Sequence, residues 1–153
     1  MKFNNQSCVC LNNNNESISN STNKIFNATG KANTSYILNN PTKKIVFKYI
    51  VDDCLLVNSE RESKCDYLFI HTDDIINYAT FIEMKGADLI KAINQINSSI
   101  NILERQLKGY KFKGRIIATK VYNPDIKTSA YKNLKKRLND DLKIKSKQLT
   151  DLI

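Results

Sequence analysis

YATFIEMK (78–85), running directly into GADLIKAINQINSSINILERQLKG (86–109), decides the fold. The first stretch is rich in β-branched and aromatic residues and reads as a strand. In the second, Leu89, Ile93, Ile96, Ile100, Leu103 and Leu107 step by 4, 3, 4, 3 and 4. That spacing makes one apolar stripe along a helix. Asp88 stands at its start, where an acid suits the helix dipole, and Gly109 can end it. GRIIATKVY (114–122) follows as another strand, stopped by Asn123-Pro124. A helix that returns the chain to the same sheet places that strand parallel to a neighbour.

Upstream, KIVFKYIV (44–51) reads as a strand that CLLV (54–57) continues or follows, before the polar turn NSERES (58–63). CDYLFIH (65–71) is a second strand and TDDIIN (72–77) a second turn, so three strands form an antiparallel meander. Downstream, residues 128–152 read as a second helix. Tyr131, Leu134, Leu138, Leu142 and Leu149 lie on one side, with Lys132, Lys135, Lys136 and Arg137 on the others. The expected fold class is α/β (α+β), a mixed β-sheet core flanked by helices. Residues 1–41 are rich in Asn and Ser, with a run from Asn12 to Asn15, and read as a loop-like extension. Residues 42–153 read as the domain proper.

The chain has 153 residues, which suits one domain able to bury roughly 68–70% of its unfolded surface. No apolar run approaches the ~20 residues a membrane helix needs. MKFNNQSCVC has no apolar stretch after its lysine, so no secretory signal is read and a cytoplasmic location is expected. The one histidine, His71, excludes sites built on two histidines. It closes a strand before a turn and is expected at the surface. The four glycines are isolated, so neither a Walker A loop nor G-x-G-x-x-G exists.

The net charge of +9 is uneven. Residues 42–104 hold seven basic and ten acidic residues, whereas residues 105–153 hold fourteen basic and four acidic. An acidic middle beside a basic end suits a metalloenzyme acting on a polyanion. The plainer alternative is a solvated basic helix with no partner.

Side chains alternate faces along a strand, so Glu83 and Lys85 share one face and Met84 takes the other. Asp66 begins a strand that can pair with theirs. A buried Asp and Glu side by side repel unless they share a proton or a cation. Hard oxygen ligands on a rigid strand suit Mg²⁺ or Mn²⁺. The lysine can orient an attacking water or stabilise charge on a phosphorane-like transition state. Against this stands a simple solvent-facing Glu–Lys pair on an antiparallel sheet.

Asp66, sixteen intervening residues, then Glu83-Met84-Lys85 resembles the PD-(D/E)XK nuclease superfamily. FIEMKGADLIKAINQI (81–96) is similar to the E-h-K-G-x-D…A-x-x-Q stretch of a small bacterial branch, as are VDDC (51–54) and KCDYLF (64–69). The resemblance covers residues 44–122. It implies a restriction-endonuclease-like fold and metal-dependent hydrolysis of a phosphodiester, with Mg²⁺ or Mn²⁺ as cofactor and DNA a better fit than RNA. It implies that Asp66 and Glu83 ligate the metal, that Lys85 acts on the water and that Gln95 supports the site. The helical acid many members carry before the first strand has no clear counterpart, and Asp52 or Asp53 can supply the third carboxylate instead. A nuclease fold without activity that holds nucleic acid, and an RNase or toxin-like nuclease, are the other readings. Lys132, Lys135, Lys136 and Arg137 are the expected nucleic-acid contacts. A second copy of the chain is a further partner to consider, and no membrane partner is expected.

Cys54 and Cys65 bracket NSERES symmetrically. A hairpin closed there opposes them on the face away from Asp66. With Cys8 and Cys10 they can complete a structural Zn²⁺ site. The alternative is buried thiols behaving as small hydrophobes.

Overall fold

The computed structural model describes residues 18–30, 32–51, 63–122 and 124–153. Its centre is β6 (Ile76–Lys85), whose residues 79–84 are all buried. A strand shielded on both faces needs apolar residues at successive positions, and this one has them. Ala79 and Phe81 join one apolar cluster, while Ile82 and Met84 join another on the opposite face.

On one side, β6 pairs antiparallel with β5 (Tyr67–Asp73), which pairs antiparallel with β4 (Val46–Ile50) and so completes the expected meander. The turn expected over 72–77 shrinks to two residues: Asp73 pairs with Ile76, and Asp74 takes the left-handed conformation that allows it. On the other side, β7 (Lys111–Ala118) lies parallel to β6, as the crossover rule requires.

The crossover is α1 (Leu89–Leu103), capped by the Asp88 side chain, which accepts from the Lys91 amide at 2.9 Å. Every residue of the expected stripe, from Leu89 to Leu107, is buried. Each such side chain contributes about 1.5–3 kcal/mol of burial. The regular helix ends earlier than expected, at Leu103, and Gly109 (φ 87°) turns the chain into β7.

The second half of the chain departs from expectation. Only Ser129–Arg137 is helical (α2); residues 142–152 form β8 (Leu142–Ser146) and β9 (Gln148–Leu152). Asn139 and Asp140 both have positive φ, which halts the helix after Leu138. Leu142 and Leu149 are buried as expected, but on strands: QLTDL alternates exposed and buried, a period of two. A spacing of seven residues keeps to one face of a helix, but here the two leucines stand on separate strands, and the alternation within 148–152 is what marks the period of two.

The N-terminal segment also departs from expectation. The Asn-rich residues 18–39 are not a loop. They hold β1 (Ile18–Ser21), which pairs with β4, and the hairpin of β2 (Ile25–Thr29) and β3 (Ser35–Asn39). β9 adds to β3 in parallel. Phe26, Ala28, Tyr36 and Leu38 alternate with exposed or half-buried neighbours, a strand pattern hidden in a polar composition. A Cβ on Gly30 would lie 2.6 Å from Met84 Cβ, so glycine permits this hairpin to sit against β6.

The result is a mixed α+β fold of three layers. A six-stranded sheet, in the order β1-β4-β5-β6-β7-β8, lies between the two helices and the three-stranded sheet β2-β3-β9. No helix among the described residues is long and apolar enough to cross a membrane.

Candidate active site

On the helix side of β6, the apolar row Ala79–Phe81 ends in Glu83 and Lys85, where the strand gives way to α1. Tyr67 pairs with Ile82; continuing that register by one residue sets Asp66 opposite Glu83. The two carboxylates expected to converge therefore do so. Glu83 is fully buried, and neither carboxyl oxygen has a hydrogen-bond partner among the described residues. Oε1 lies 3.1 Å from Lys85 Nζ, a charge contact without hydrogen-bond geometry. Burial, and then the Asp66 charge, push the Glu83 carboxyl up to about 8, against the pull of Lys85. Without a cation, this side chain is mostly protonated at neutral pH.

Asp66 is half-buried and is oriented by the backbone. Its Oδ2 accepts from the Met84 amide at 2.7 Å, and its carbonyl accepts from the Val51 amide at 2.9 Å. The residues just before it are held by α1. Gln95 Nε2 donates to the Lys64 carbonyl at 2.7 Å, and Ser99 Oγ accepts from the Cys65 amide at 2.9 Å. Gln95 and Ser99 are four residues apart on the buried face, so one helix turn clamps the strand entry that presents Asp66. Gln95 is thus a positioning residue. Its Oε1 is buried without a partner among the described residues. Ser99 was missed in the sequence. The signal was a small polar residue inside the apolar stripe, between Ile96 and Ile100.

Cys65 departs from expectation. It belongs to the helix-side cluster with Phe81, Ala92 and Ile96, rather than to the face away from the site. The regular strand begins only at Tyr67, so alternation does not govern residue 65. Burial pushes its thiol well above the usual range, with Glu83 and Asp66 adding to the shift. Cys8, Cys10 and Cys54, and the candidate ligands Asp52 and Asp53, lie outside the described residues.

The basic helix splits. Lys132 and Lys136 are exposed. Arg137 instead ties α2 to α1, donating to the Glu104 carboxylate at 2.9 Å and to Asn97 Oδ1 at 3.2 Å. Lys135 lies 3.7 Å from Asp140, a contact worth little at such exposure. His71 is buried rather than at the surface, because the three-stranded sheet covers its face.

Two adjacent carboxylates, orphaned buried oxygens and a neighbouring ammonium fit a hard divalent cation, with Asp66 and Glu83 as protein ligands and water completing the shell. Comparison of the chain with protein-family models, with curated proteins and with solved structures finds no match.

Proposed function

We propose that this chain is a divalent-metal-dependent nuclease that hydrolyses phosphodiester bonds, with DNA favoured over RNA as substrate. The observation that carries the reading is the Asp66–Glu83 pair. A carboxylate buried completely beside a second one, with two orphaned oxygens, is a costly arrangement that a cation would relieve. Bound Mg²⁺ or Mn²⁺ would polarise a phosphoryl oxygen and lower the pKa of a coordinated water. Lys85, 24% exposed, reaches from Glu83 toward solvent. There its ammonium can orient the attacking water and offset the charge growing on the phosphorus oxygens. Gln95 and Ser99 act at one remove by holding residues 64 and 65. The exposed Lys132 and Lys136 can meet the phosphate backbone, which positions a strand without reading its sequence.

A second reading is an inactive nuclease fold that only holds nucleic acid. It is favoured by the internal Lys85–Glu83 contact and by the Asp66 oxygen already engaged by Met84. Incubation with plasmid, single-stranded DNA and RNA, with Mg²⁺ or with EDTA, separates the readings and reports the substrate. Cleavage is expected with Mg²⁺ alone, and Glu83→Ala or Lys85→Ala should abolish it while leaving the fold and nucleic-acid binding largely intact. Absence of cleavage on all three substrates, together with no Mn²⁺ binding, would leave the binding module.

A further inference from the structure

The other face of the six-stranded sheet carries a second concentration of ionisable groups, between the two sheets. Alternation and strand pairing put His71 of β5, Thr80 of β6, Lys113 and Arg115 of β7 and Lys143 of β8 on this face. Tyr36 of β3 and Asp151 of β9 meet them from the three-stranded sheet. Arg115, 2% exposed, ion-pairs through Nε with Asp151 and through Nη1 with Asp141 at 2.7 Å. Lys143 Nζ takes the other Asp151 oxygen at 2.7 Å, and the Tyr36 hydroxyl donates to Asp151 Oδ2 at 3.1 Å. Both carboxylates are therefore satisfied by Arg115 and Lys143.

Lys113 is not satisfied in this way. Its ammonium lies 4.1 Å from the Tyr78 ring centroid, and no carboxylate pairs with it among the described residues. His71 is 3% exposed, stacks on the same Tyr78 ring, and its Nδ1 has no hydrogen-bond partner among the described residues. Both side chains line a cavity of about 390 Å³, with Tyr36, Thr80, Arg115 and Lys143. That volume lies in the range of small-ligand sites, roughly 300–1,000 Å³. The lining side chains hold three cations, Lys113, Arg115 and Lys143, and two carboxylates, Asp141 and Asp151.

We propose that this cavity is a site for a small tetrahedral oxyanion of the phosphate class, held by the Lys113 ammonium and the His71 Nδ1–H. An anion is called for because Lys113 is the lining cation with no carboxylate partner among the described residues, the two present being spent on Arg115 and Lys143. His71 stays neutral, its pKa lowered to about 4 by burial and by Lys113 and Lys44, so one ring nitrogen is a donor. Both donors come from the six-stranded sheet, on β5 and β7 to either side of β6. The site lies on the opposite face of β6 from Glu83, so it does not depend on the nuclease reading.

His71 is the only histidine, which makes a histidine-labelled sample of the full chain a one-signal reporter. Inorganic phosphate, and in a second arm glycerol phosphate, would be titrated at constant ionic strength near pH 7. The result expected is a saturable shift of the His71 ring signal. Saturation by phosphate alone identifies the free ion; equal or tighter saturation by glycerol phosphate identifies a phosphomonoester. Lys113→Met should weaken binding about tenfold or more, equivalent to about 1.4 kcal/mol. Lys127→Met, which removes the same charge from an exposed position, should leave binding unchanged. A His71 signal that stays put or drifts without saturating in the wild-type chain overturns the proposal, whether or not the Lys113 variant folds. Equal weakening by both lysine variants does the same.

Discussion

On one face of the six-stranded sheet, Glu83 is fully buried, with Lys85 as its ion-pair partner and both oxygens without hydrogen bonds among the described residues. On the other face, Arg115 is almost equally buried, yet two carboxylates and the Gly114 carbonyl occupy its guanidinium. Both are ionisable groups taken from water into a protein interior, and both carry a large desolvation penalty. Arg115 offsets it with partners drawn from β9, from the turn before β8 and from Gly114 of its own strand. Glu83 offsets it by holding its proton. Complete pairing marks a group that secures the structure, here by stitching the three-stranded sheet to the six-stranded one. Incomplete pairing leaves Glu83 free to meet the cation of the proposed nuclease reading.

The sharpest way to break this contrast is to remove the Arg115 partner. Asp151→Ala should cost about 3 kcal/mol, because it takes the more buried of two carboxylates from the Arg115 guanidinium, leaving Asp141 alone, and frees Lys143 and Tyr36 at once. Urea unfolding measures it, and a loss below about 1 kcal/mol would place Arg115 among merely tolerated charges.

The next effect concerns Glu83 and is a slope. Its carboxyl titrates at about 8 in the folded chain against 4.5 ordinarily. Between those values the folded state keeps a proton that the unfolded state has lost, so this group's stabilisation is complete below 4.5 and is lost as pH rises through 8. Glu83→Gln has no proton to lose. Its stability relative to the parent should climb with pH across that window, by up to about 1.4 kcal/mol per unit, and level off above it. A gap that does not vary with pH would mean that Glu83 is ionised and paired like Arg115.

The smallest effect should come from His71→Phe, which retains an aromatic ring against Tyr78. His71 runs the other way from Glu83, with its pKa lowered from 6.5 to about 4. Its contribution is present above 6.5 and lost as pH falls through 4, so the variant should gain on the parent only on the acid side. Thermal unfolding of both variants from pH 4 to 9 would then give gaps that open at opposite ends. Gaps that open at the same end would contradict the assignment of one buried proton and one buried neutral ring.

Much of this was legible in the sequence where a pattern repeats locally. The α1 stripe, the meander and the Asp66–Glu83 opposition follow from periods of 3.6 and 2 over a few residues. The oxyanion cavity was not legible, because Tyr36 and Asp151 are 115 residues apart and meet only through the parallel pairing of β3 with β9. Arg137 looked like a phosphate contact because helix spacing does not reveal that Glu104 and Asn97 face it. His71 looked like a surface residue because nothing in an Asn-rich N-terminal segment announces a covering sheet.

By itself the sequence determined which residues could be helix and strand over 65–118, and which face of β6 would carry Glu83 and Lys85, because both are consequences of backbone periodicity. The tertiary structure alone decided which buried charges would be paired. Pairing depends on distances between strands remote in sequence, and the desolvation that makes it matter arises only once α1 closes over one face of the six-stranded sheet and the three-stranded sheet over the other.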